Sequence, residues 1–127
     1  MDEAMIRDLV RAFYGRVRED PELGPIFNRE VGDWDEHLTK LCDFWSSVLL
    51  GTGRFKGRPM AAHVEVGDIS GAHFVRWLAL FETTARDLWP EAAADVVVDR
   101  ARQIGRSLEL GIAVSRGEFP PVAPPRR

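Results

Sequence analysis

A chain of 127 residues, 45% hydrophobic and 29% charged, has the length and balance of one ordinary globular domain with a core of its own. A formal net charge of −3 without any long basic run argues against nucleic acid as a partner. The single Cys42 excludes an internal disulfide and any CxxCH motif, and no apolar run approaches the roughly 20 residues of a membrane span. The opening "MDEAMIRDLV" is acidic and lacks the apolar stretch of a signal peptide, so the expected setting is a reducing cytoplasm.

In chain order, Ile6, Leu9, Val10, Phe13 and Val17 fall on one stripe and predict a helix over 3–19. "EDPELG" stops it, and "GPIF" reads as a tight, partly apolar connector. Asp33 caps the next helix, 34–50, with Glu36 three residues on as a capping-box variant and Gly51 as a left-handed C-terminal stop. Residues 51–69 hold four glycines and a proline, with room for a short helical turn near Pro59–His63, and a loop that long in a small domain usually has a task. Ser70 caps a helix of about 71–89, with Phe74, Trp77, Leu78, Phe81, Ala85 and Leu88 inward. Pro90 suits the first turn of a last helix, 91–115, whose stripe is Val97, Ala101, Ile104, Leu108 and Ile112. The closing "FPPVAPPRR" reads as an extended, loose tail. The sum is an all-α domain of four main helices and one long loop.

Common metal motifs are absent: no HExxH, no CxxC, no EF-hand loop. "GTGRFKG" follows a helix and matches neither nucleotide-loop spacing, and Cys42, beside Leu38, Trp45 and Leu49, reads as a small core residue rather than a nucleophile. His37 heads a helix, His63 sits in the glycine-rich loop and His73 lies in a first turn. Each is, by default, structural or solvated. Tyr14, however, flanks the apolar stripe of its helix and Trp77 falls on that of its own, and a buried phenol or indole needs a partner. A pocket of Tyr14, His37 and Trp77 would offer several donors in apolar surroundings, which suits a small anion or a polarised diatomic ligand.

"FYGRVREDPELGPIF", "DEHLTKLCDFWSSVLLGTGRFKGRPMAAH" and "HFVRWLALF", in that order over about residues 8–110, resemble the truncated haemoglobins, most closely their third group. The resemblance implies a truncated globin-like, two-over-two helical sandwich enclosing a noncovalent haem b, with the domain over 1–117 and a proline-rich flexible tail over 118–127. It implies that His63 is the proximal ligand and the metal site, that Phe27 packs on the haem face, and that Tyr14, His37 and Trp77 act on the bound ligand. Leu41, Phe44, Trp45, Phe55, Met60, Val66 and Phe74 match the haem wall. Arg54, Lys56 and Arg58 are candidates for the propionates, weighed against a plain solvated basic loop, and His73 reads as a solvated residue near a helix start.

The expected activity is binding of O2, NO or other diatomic ligands, for redox chemistry such as NO detoxification or peroxide activation rather than O2 transport, with an electron-donor reductase as partner. No nucleic acid or membrane is expected, and the chain is expected to be a monomer or weak dimer. A non-enzymatic store, carrier or sensor and a haem-free helical interaction module remain as alternatives. Whether His37 points inward or toward solvent stays open.

Overall fold

The computed structural model describes residues 1–57 and 70–117, and all regular structure among them is helical. The Pro59–His63 turn and the 118–127 tail lie outside the described residues. Helix α1 spans Glu3–Glu19 and starts where the Asp2 carboxylate accepts the Met5 N–H at 2.9 Å. Its expected stripe is buried, together with Tyr14 one position beyond Phe13.

The "GPIF" connector is in fact a helix, α2, Leu23–Glu30, so the described residues hold five helices rather than four. Its cap is the Asp20 carboxylate, which accepts the N–H groups of Glu22 and Leu23, each at 2.9 Å. Gly24 permits the close return onto α1, since a Cβ there would lie 2.6 Å from the Arg18 carbonyl oxygen. Pro25 stands in the first turn, where its missing N–H costs nothing. Glycine and proline, ordinarily breakers, here sit at the two places in a short helix that accept them.

Helix α3 spans Trp34–Leu50 between the expected Asp33 cap and Gly51 at φ +68°, and α4 spans Gly71–Leu88 behind Ser70. Helix α5 spans Glu91–Ser115, with Pro90 as its N-cap rather than in its first turn. One inward assignment fails: Leu88 is 41% exposed, and Trp89 is buried instead. The Trp89 indole N–H donates to the Met5 carbonyl at 3.1 Å, so satisfying that polar tip turns the end of α4 toward α1. Thr84, another unexpected core residue, donates to the Leu80 carbonyl and accepts from the Arg16 guanidinium.

Helix α1 packs on α3, α4 packs on α5, and α1 crosses onto α4, which makes two helices over two. An aromatic spine joins the layers. Phe13, fully buried, meets Tyr14, Trp77 and Phe81 edge-on, and Phe81 stacks against both Trp77 and Trp45 at 5.3 Å. Each such ring stabilises the fold by roughly 1.5–3 kcal/mol through burial alone. No helix among the described residues is long and apolar enough to cross a membrane.

Candidate functional site

The apolar stripe of α3 is only half-buried at Leu41 and Phe44. The cause is a cavity of about 600 Å3 on the side of the helix carrying Leu41 and Phe44. That volume suits a cofactor-sized guest. Leu23, Ile26 and Phe27 of α2, His37, Leu41, Phe44 and Trp45 of α3, Phe74 and Trp77 of α4, and Ile104 and Leu108 of α5 line it, with Tyr14 and Phe55. The walls are mainly apolar, and the polar atoms gather at two places.

The first is the group Tyr14, Trp77 and His37. Tyr14 is 4% exposed, and burial pushes its phenol far above the ordinary value of 10.0, partly offset by a hydrogen bond from Trp77. An indole only donates, so the Tyr14 oxygen accepts from Trp77 and the phenol keeps its own proton to offer a guest. The phenol therefore stays neutral across the physiological range. The His37 ring stands perpendicular to that of Tyr14, with centroids 6.0 Å apart, and lines the cavity, so it points inward.

The second is the mouth, where Lys40, Asp43, Arg54 and Lys56 stand. Two of its cations already have acidic partners: Lys40 reaches Glu36 at 3.1 Å and Arg54 reaches Glu3 at 2.7 Å. The same Glu3 oxygen accepts from the buried Ser46 hydroxyl, which also meets Thr52. One residue along, the Ser47 hydroxyl donates to the Asp43 carbonyl and accepts the Phe55 N–H at 2.9 Å. These bonds hold the chain after Gly51 against α3 and set the Phe55 ring edge-on to Phe44 at 5.2 Å.

Thus Tyr14, Phe27, His37, Leu41, Phe44, Trp45, Phe55, Phe74 and Trp77 share one cavity. His63, Met60, Val66 and Arg58 lie outside the described residues. Among the described residues no cluster of His, Cys, Asp and Glu could hold a metal ion. His73 is not simply solvated: it is half-buried, lines the cavity, and its Nδ1 accepts the Ser70 N–H at 3.0 Å. Cys42 is half-buried, and desolvation raises its thiol, which suits an inert packing role. Sequence reasoning overlooked Leu23 and Ile26, hidden in the supposed connector, and Lys40 at the mouth. Ile104 and Leu108 were assigned to the core stripe of α5, because periodicity does not distinguish a face against protein from one against a cavity.

Residues 2–103 match the family model of the bacterial-like globins. The chain is also 35% identical, over 108 residues, to a group 3 truncated haemoglobin of Campylobacter jejuni, covering 82% of this chain and 85% of that protein. The chain belongs to the bacterial-like globins, in the third group of truncated haemoglobins. A crystal structure of a group III truncated haemoglobin from Campylobacter jejuni superposes with a TM-score of 0.82 at 34% identity, covering 86% of this globin and 89% of that chain. In this truncated haemoglobin, then, the cavity lies between the two helical layers, and the polar trio sits where α1, α3 and α4 meet.

Proposed function

We propose that the cavity holds a noncovalent haem b, with His63 on the iron, and that the globin binds O2 and other diatomic ligands for redox chemistry rather than for O2 transport. The observation that carries this is a mainly apolar cavity that Tyr14, Trp77 and His37 also line. The lining fits the group: apolar side chains for the macrocycle, exposed cations for its carboxylates, and Tyr14, Trp77 and His37 for a ligand. Bound there, the iron supplies an open coordination position for a diatomic ligand.

The chain's own residues then decide what happens to that ligand. Tyr14 holds a proton that burial prevents it from losing, and directs it to the electron-rich ligand atom. Trp77 orients the phenol, because its single indole N–H is given to the phenol oxygen. Each hydrogen bond to a charged acceptor is worth roughly 1.5–3 kcal/mol. The bond from the phenol alone slows release about tenfold or more. Slow release is poor for transport and suits reaction of the bound ligand, such as NO oxidation or peroxide activation with electrons from a reductase.

The purified protein is expected to show an intense haem absorption band that shifts with CO, abolished in His63→Ala and retained in His73→Ala. Stopped-flow O2 release is expected to be slow and to quicken in Tyr14→Phe. A fast release unchanged by that substitution would falsify the assigned role of the phenol. NO consumption by the oxygenated protein, supplied with a reductase, separates redox chemistry from storage or sensing.

A further inference from the structure

His37 lines the cavity, but one of the rings packed against it lies outside the cavity. Trp34 and His37 are three residues apart in the first turn of α3 and so share a face. Their rings are perpendicular with centroids 5.5 Å apart. Trp34 also lies 6.3 Å from the Tyr14 ring, without lining the cavity itself. The Arg18 guanidinium stands 4.6 Å over the indole face. The base of this arrangement is stiff: the Asp33 carboxylate accepts the Glu36 N–H at 3.1 Å and fixes the turn bearing both rings.

From this we infer that Trp34, braced by Arg18, is a positioning residue that keeps the His37 imidazole inside the cavity against Tyr14. The inference rests on the proposed ligand-binding role of that pocket. To leave, His37 must give up perpendicular ring contacts with Trp34 and Tyr14 together, so removing Trp34 removes one of the contacts that oppose its departure. Trp34 touches no ligand and acts only through its neighbours. Arg18 acts one step further out, through a cation–π contact at an exposed site, and its loss is correspondingly milder.

The test compares Trp34→Ala, Trp34→Phe and Arg18→Ala, the first also in a His37→Ala background. In the CO-loaded protein, flash photolysis gives the ligand association rate and infrared spectroscopy the CO-stretch band. Trp34→Ala is expected to change association by about two- to fivefold, in line with the worth of one exposed aromatic contact, and to broaden or split the band. Trp34→Phe keeps a ring and restores both, and Arg18→Ala shifts them in the same direction by less. With His37→Ala already present, Trp34→Ala has no further effect. The His37 ring resonances, assigned by their loss in His37→Ala, move in Trp34→Ala whether or not haem is bound. A Trp34→Ala effect of the same size without His37, or unmoved His37 resonances, overturns the inference. Absence of the haem absorption band overturns the proposed function instead, and the resonance measurement still decides the role of Trp34.

Discussion

At the residue scale the site depends on a few atoms with no substitute. Tyr14 is useful because burial keeps its proton in place and because the indole of Trp77 occupies its acceptor side. Replacing it with phenylalanine changes almost no volume, so O2 release is expected to quicken about tenfold or more with the haem spectrum kept. Gly24 shows the same dependence in packing. An alanine Cβ there would lie 2.6 Å from a backbone oxygen, which cannot move aside like a flexible side chain. Gly24→Ala is expected to destabilise the fold by about 1–3 kcal/mol, read as a lower midpoint in urea, and an unchanged midpoint would contradict the close approach of α1 and α2. That Tyr14 and Trp77 need polar partners was legible in the sequence, since buried polar tips must be satisfied. The need for glycine at 24 was not, because the atom it avoids belongs to the preceding helix.

At the scale of elements, caps and corners carry the argument. Asp20 closes the α1–α2 corner twice over: it caps α2 and takes the Arg76 Nε at 2.8 Å. The Arg76 hydrogen bond is the main cause that lowers its carboxyl from 3.8 to about 2. A carboxyl lowered in the folded state contributes stability above its unfolded value and loses it as pH falls through the folded one. The stability advantage of the native protein over Asp20→Asn is therefore expected to narrow between about pH 4 and pH 2, measured as unfolding midpoints across that range. At the far layer, Ser70 and His73 close the start of α4, and His73→Ala is expected to loosen that first turn by about 1 kcal/mol while leaving haem binding intact. Four helices were legible from stripes and stop signals. Helix α2 was not, because its cap comes from Asp20, in the link before it, and its glycine and proline look like punctuation.

At the scale of the molecule, the two layers leave a space that neither closes alone. Apolar side chains at Leu41, Phe44 and Phe74 stay half-exposed around it, and a bound guest would cover them. Removing haem is accordingly expected to lower the thermal midpoint, by the equivalent of about 2.7 kcal/mol when free haem is at a hundred times its dissociation constant. Calorimetry of loaded and stripped protein checks this, and equal midpoints would mean that the cavity does not bind the group.

What the sequence by itself determined is local. Helical periodicity assigns residues to faces, caps set where most helices begin, and the order of the motifs points to the truncated haemoglobins. The tertiary structure alone decided which face meets protein and which meets a cavity, that His37 turns inward, that Arg54 is held by Glu3 at the mouth, and that Trp34 packs beside Tyr14 and His37. The reason is physical. A stripe records that a face avoids water, whereas its neighbour is chosen by contacts between residues far apart in the chain, and no spacing within one helix encodes those.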